Sequence, residues 1–332
     1  MKEVPGVTRL RQTAMLLFVT GSMMLAQTPP AKRAAIPRAA DGHPSLEGIW
    51  TNATLTPLQR PANLAAKPYF TAEEAAAFEK QVLIQNDTDN QPRKAGDPGN
   101  YNSAFWDRGN HVEKSLRTSL VIDPPDGRIP PFTAEAQAKA QAFREYAAQH
   151  PADGPEDRDL SERCLMFSGI GPPMLTEPYN NNYQIVQSPG YVSVLAEMNH
   201  DVRVIPTDGK VTAPNDVSQW HGVSHGHWDG DTLVVETTNI KFNNQSHFGV
   251  AYRGMSDENL RVTERFTRTD AETIIYQAMV DDPTVYTKPW TIEEAFTRTK
   301  GPLFEYACHE GNYAMPGILQ GARLAEQGAN SK

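Results

Sequence analysis

Cysteine is scarce: Cys164 and Cys308 are the only two in 332 residues, which excludes a disulfide-stapled miniprotein. Basic charge is also in deficit, with 31 Lys+Arg against 40 Asp+Glu and a formal net charge of -9. A phosphate-binding surface shows as a basic excess, so nucleic acid is not an expected partner. No apolar run reaches the roughly 20 residues a membrane-crossing helix needs, and no transmembrane anchor is expected. The chain contains no G-x-G-x-x-G and no P-loop, so nucleotide binding is not supported and no organic cofactor is expected. Gly222-Val223-Ser224-His225-Gly226 matches G-x-S-x-G, but a strand follows it across an Asp-Gly turn where the serine-hydrolase elbow needs a helix, so that elbow is not supported. With 39% hydrophobic and 21% charged residues, the composition excludes a disordered chain, a collagen or a coiled coil and leaves a globular protein.

The N-terminus reads as an export signal. Lys2, Arg9 and Arg11 form a positive start, followed by an apolar stretch of 13 residues from Ala14 to Ala26, too short to span a bilayer. Residues 1–26 are therefore expected to be a signal peptide, 27–45 a Pro-rich linker, and 46–332 a single β-rich domain in a periplasmic or secreted protein. An oxidising compartment permits disulfides, and a Cys164–Cys308 bridge is favoured over two free thiols. Closing a loop 144 positions long stabilises by about 4 to 5 kcal/mol in the chain-entropy model.

Local signals divide the rest. Gly48 to Ala53 is a short strand candidate. Thr71 with Glu74 forms a Ser/Thr-x-x-Glu capping box that opens one helix, Thr133 opens a second, and SLVID between them reads as a strand. From Tyr183 onward, about eight short strands alternate with Pro, Gly and Asp turn signals, a pattern of sequential antiparallel pairing. The expected fold is mainly β: an up-and-down barrel or curved sandwich of the lipocalin or calycin kind, with a helical segment at about 70–170 packed outside. GILQGARLAEQ near the end reads as a last helix. Glu264–Thr269 (ERFTRT) recurs as Glu294–Thr299 (EAFTRT), which suggests two strands in equivalent positions of one sheet.

Strand parity selects the candidate chemistry. Leu260, Val262, Glu264, Phe266 and Arg268 share one face of their strand, and Trp290, Ile292, Glu294, Phe296 and Arg298 share one face of theirs. Each face is apolar around a central glutamate. An inward carboxylate is costly unless paired, and burial raises its pKa toward the general-acid range, so Glu264 and Glu294 are candidate acid–base groups. The alternative is that each pairs with an arginine such as Arg268 or Arg298. His200 shares parity with Met198, Val202 and Val204 and is a candidate general base. Tyr276 either supplies a phenol hydrogen bond or fills core. His309 and Glu310 lie in a polar cluster beside Cys308, either a rigidly held site or a network closing one end of the sheet. His221, His225 and His227 share parity, and if extended they would offer three imidazoles to a divalent metal; clustered loop histidines commonly bind nothing, and no metal is favoured.

Taken together, the segments DGHPSLEGIWTN, SLVIDPPDGRIPP, NNNYQIVQSPGYV, WDGDTLVVETTN, LRVTERFTRTDAETI and YACHEGNYAM resemble a family of secreted bacterial proteins of uncharacterised activity. The resemblance spans nearly the whole mature chain and implies export and one continuous domain. It assigns no reaction. The functional expectation rests on the residues: an exported enzyme acting on a small organic molecule in a barrel cavity by acid–base chemistry, of lyase, isomerase or hydrolase type. The alternatives are a non-catalytic periplasmic small-molecule carrier and a metal-assisted hydrolase at the histidine cluster.

Overall fold

Alternation of buried and exposed side chains, the signature of a strand with one face on a core, runs through ten segments of the computed structural model. These are β1 (Gly48–Thr51), β2 (Val121–Asp123), β3 (Asn182–Ser188), β4 (Tyr191–Ala196), β5 (Val202–Pro206), β6 (Val223–Asp229), β7 (Thr232–Thr238), β8 (Arg261–Arg268), β9 (Thr273–Asp281) and β10 (Trp290–Thr299). Three helices accompany them: α1 (Ala72–Asn86), α2 (Ala134–Gln149) and α3 (Ala314–Asn330). The structure describes residues 36–90, 107–167, 169–208, 217–241 and 259–330. The signal segment and residues 27–35 of the Pro-rich linker lie outside these. Ala34–Lys332 forms one compact unit, and among the described residues no helix is long and apolar enough to cross a membrane.

The strands form one antiparallel sheet in the order β5-β4-β3-β1-β10-β9-β8-β7-β6, with β2 also paired to β10. The fold is mainly β, as expected, but the sheet does not close into a barrel. Its edge strands β5 and β6 come within 8 Å between Cα atoms and exchange no ladder hydrogen bonds. The β6–β7 loop is Gly230-Asp231, with Gly230 at φ +60°, the position where a two-residue hairpin of this hand needs glycine.

The inner face is filled by rings. Trp50, Tyr183, Phe266, Tyr276, Trp290 and Phe296 are all essentially inaccessible, and Tyr276 packs on Phe266 and Phe296 with centroids 5.0 and 5.1 Å away. The segment Met166 to Leu175 adds Ile170 and Met174 to the same core. The interior that the sequence suggested as a ligand cavity is thus occupied by aromatic packing. The repeated ERFTRT and EAFTRT segments lie in β8 and β10, which flank β9, but they are offset by two residues. Phe266 and Glu294 are both opposite Tyr276, while Glu264 and Ile292 are both opposite Ala278.

The predicted helix starts are found as drawn. The Thr71 hydroxyl accepts from Glu74 N at 3.2 Å and Glu74 Oε2 accepts from Thr71 N at 2.8 Å, while Thr133 Oγ1 accepts from Ala136 N at 3.1 Å. Helix α1 lays Ala75, Phe78 and Val82 against Leu55, Phe70 and Val112, forming a small second core beside β10. The Cys164–Cys308 disulfide is formed, with Cα atoms 5.7 Å apart.

Candidate functional site

One long edge of β10 is served by two short strands. β2 pairs at Thr291 and Ile292, and β1 pairs at Thr297 to Thr299. Between them a strand neighbour is missing, and the edge must find other partners, because a buried backbone N–H left unpaired is costly. Leu120 O accepts from Glu293 N at 2.9 Å. The next outward N–H, that of Ala295, donates to Glu113 Oε2 at 3.2 Å. A side-chain carboxylate thus stands in for a strand carbonyl. Glu113 is fixed by its own N–H, which donates to Thr56 Oγ1 at 2.8 Å, and the nearby Thr54 hydroxyl, which donates to His111 O at 3.3 Å, favours the charged form of its carboxyl.

Glu294 emerges from the inner face of β10 at this gap and is buried. Its Oε1 accepts from Asn52 Nδ2 at 3.1 Å and its Oε2 from Thr176 Oγ1 at 3.4 Å. Asn52 immediately follows β1, and its Oδ1 is buried with no partner among the described residues. Among the described residues no arginine neutralises Glu294.

The two carboxyls therefore hold protons unusually tightly. Burial is the main cause for both. It pushes Glu113 up to about 7, helped by the neighbouring Glu293 charge and opposed by the Ala295 hydrogen bond. Burial likewise lifts Glu294 well above the carboxylate range, with the Glu113 charge adding to it and Asn52 and Thr176 opposing. Near neutral pH Glu294 is a carboxylic acid while Glu113 exchanges its proton, a division of acid and base roles set by environment.

In front of this pair lies a cleft of about 380 Å³. Its apolar wall includes Leu55, Leu58, Phe78, Val82, Leu120 and Leu175, and its polar side is Thr54, Thr56, Asn86, Arg108, Thr176 and Glu177. Thr54 and Thr176 both face the cleft and both stand beside a carboxyl behind it. Each hydroxyl hydrogen is held by a main-chain carbonyl, that of Thr54 by His111 O at 3.3 Å and that of Thr176 by Asn52 O at 2.6 Å, so a threonine passes a proton between cleft and carboxyl only when its hydroxyl rotates off that carbonyl.

The other expected site residues are placed elsewhere. Glu264 is not paired with Arg268 on its own face. It is locked to Arg203 of β5, with Nη1 to Oε1 at 3.0 Å and Nη2 to Oε2 at 2.5 Å, and Tyr276 OH donates to Oε1 at 2.8 Å. Arg203 also reaches Ser224 of β6 and Thr237 of β7, tying the two open edges together across the seam. Tyr276 both fills core and supplies a hydrogen bond: its oxygen accepts from Met174 N at 2.8 Å, and burial together with the Glu264 charge keeps the phenol protonated.

His200 does not face inward. Asn199 and His200 adopt φ of +59° and +45° in a 3-10 turn, which resets the parity entering β5. Arg203 and Ile205 point in, while Val202 and Val204 are 53% and 57% exposed. The exposed His200 is thus separated from Glu264 and Glu294 by a turn that periodicity could not foresee. His225 and His227 lie on β6, but Gly222 at φ +71° breaks the row before it. His221 turns to Asp201 with Nε2 to Oδ2 at 3.3 Å, His225 lies 3.7 Å from Glu236, and His227 is exposed. Among the described residues no three His, Cys, Asp or Glu side chains are grouped to hold a metal ion. His309 and Glu310 are exposed next to the disulfide, and neither approaches the carboxyl pair.

Glu113, Asn52, Thr54, Thr176 and Arg203 were missed by sequence reasoning. Glu113 sits in irregular chain with no periodicity. Arg203 was passed over because Val202 and Val204, its neighbours on β5, were expected to face inward, a parity that the Asn199 turn reverses. Comparison with known proteins adds no relative: no family model, no curated protein and no solved structure matches the chain.

Proposed function

We propose that the protein is an exported acid–base enzyme that moves protons on a small, largely apolar molecule bound in the cleft between α1 and the gap in β10. The observation that carries this is the Glu113–Glu294 pair, two carboxyls of raised proton affinity behind two cleft threonines. Structural carboxylates are ordinarily neutralised, as Glu264 is; a base poised near neutrality beside a held acid is the arrangement that proton transfer requires. Glu113 takes a proton from a carbon or hydroxyl of the substrate through Thr54, and Glu294 delivers one to an oxygen through Thr176. The net result is an isomerisation, or an elimination if the protonated oxygen departs. Export rests on the N-terminal segment, the disulfide and the family resemblance.

A carrier using the same cleft is the second reading, favoured by its apolar wall of Phe78, Val82, Leu55 and Leu58. Proton exchange separates the two. The mature chain is incubated in D2O with a panel of small ketones and hydroxyketones, and loss of carbon-bound hydrogen is followed by NMR. The enzyme reading expects exchange on at least one member above the buffer rate and a fall of about 10² or more in Glu113→Gln, the usual contribution of a general base. Saturable binding without exchange identifies a carrier. Exchange unaffected by Glu113→Gln refutes the assignment of the base.

A further inference from the structure

The seam where the sheet fails to close contains a second cleft, of about 520 Å³, lined by β5, the start of β6 and the turn before it. The turn is built to be rigid. Gln219 and Ile240 form a parallel bridge, and Gly222 at φ +71° has no room for a side chain, since a Cβ would meet Ile240 Cγ1 and Thr238 O at 2.6 Å. This fixed turn presents Trp220 and His221 to the cleft. Asp201 holds the imidazole from the opposite edge, and Asn199 Nδ2 in turn donates to Asp201 Oδ2 at 3.2 Å.

Two buried nitrogens in this wall lack partners. Arg203 Nε and His221 Nδ1 are inaccessible to solvent and make no hydrogen bond among the described residues, although the Arg203 side chain is only 2% exposed. A buried guanidinium N–H is always a donor, and unsatisfied buried donors are rare in folded proteins. At the mouth, Lys241 Nζ lies over the Trp220 ring at 5.0 Å from its centroid and has no carboxylate partner among the described residues. Among the described residues the site thus offers a guanidinium N–H and an imidazole nitrogen without partners, a lysine without a carboxylate, and an aromatic face.

We infer that the seam cleft is a binding site for a small aromatic carboxylate, whose oxygens accept from Arg203 Nε and the His221 imidazole while Lys241 supplies charge and Trp220 supplies a ring surface. The site is separate from the carboxyl pair on β10 and does not depend on its role.

The test uses benzoate as the probe and benzamide, of the same shape without the charge, as the control, each titrated calorimetrically into the mature chain. Benzoate is expected to bind saturably and at least tenfold more tightly than benzamide. Lys241→Ala, an exposed change that leaves the fold alone, and His221→Ala are each expected to weaken benzoate tenfold or more. Absence of saturable benzoate binding at millimolar concentration, equal binding of benzamide, or affinity retained in Lys241→Ala overturns the inference.

Discussion

Replacing Arg203 by methionine removes the one cation that faces Glu264 among the described residues. The pair is sealed, with side chains 2% and 0% exposed, so Glu264 in the variant keeps only the Tyr276 hydrogen bond. Ile170 O, Ser224 and Thr237 also lose their contact with the guanidinium. Breaking a buried pair from one side costs about 3–5 kcal/mol, because an uncompensated charge is left behind. For a chain of this size the urea slope is on the order of 3 kcal/mol/M, which puts the midpoint about 1–1.5 M lower. The double variant Arg203→Met with Glu264→Leu removes the stranded charge. It leaves the Tyr276 hydroxyl without its acceptor and Ile170 O, Ser224 and Thr237 without the guanidinium, all neutral groups, and is expected within about 2 kcal/mol of wild type. Trp50 and Trp290 are fully buried, so urea unfolding followed by tryptophan fluorescence reads all three proteins. A single variant within about 1 kcal/mol of wild type, or a double variant no better than the single, would show that the ion pair does not hold the seam.

Glu113 makes stability depend on pH in an unusual direction. Its folded pKa of about 7 lies above the ordinary 4.5, so between these values the folded state holds a proton that the unfolded state has lost. The neutral acid's advantage is complete below about pH 4.5 and is lost as pH rises through 7, a decline of about 3 kcal/mol. Glu113→Gln should flatten that part of the profile of midpoint against pH and leave the chain at least as stable as wild type at pH 8; an unchanged slope contradicts the raised affinity. Converting both Cys164 and Cys308 to serine opens a loop of 144 residues and should cost about 5 kcal/mol in urea unfolding. A loss under 1 kcal/mol would mean that the bridge does not constrain the unfolded chain.

Legibility in the sequence followed periodicity. The inner faces of β8 and β10, with Glu264 and Glu294 at their centres, were readable because alternation is unbroken over the eight residues of β8 and the first eight of β10, failing only at the exposed Arg298. Capping chemistry located both helix starts. The failures share a cause, which is that a turn or an irregular segment decides where a side chain points. Left-handed Asn199 and His200 reversed the parity of β5 and exchanged His200 for Arg203. Gly222 removed His221 from the row of His225 and His227. Glu113 acquires its role only because β1 and β2 are both too short to cover β10, a property of pairing between segments more than 60 residues apart in sequence. Why one inward glutamate is neutralised and the other is not was also outside the sequence's reach, since Arg203 reaches Glu264 from across the seam.

The central claim, that Glu113 and Glu294 form a split acid–base pair, is tested most directly by carbon-13 NMR of the glutamate side-chain carboxyls as a function of pH, with Glu113→Gln and Glu294→Gln to assign the two signals. The account predicts a Glu113 midpoint near 7 and a Glu294 signal that remains that of a carboxylic acid above neutrality, its ionisation becoming easier when Glu113 is replaced by glutamine. Two ordinary titrations, both complete below pH 5 and each indifferent to loss of the other carboxyl, would contradict it.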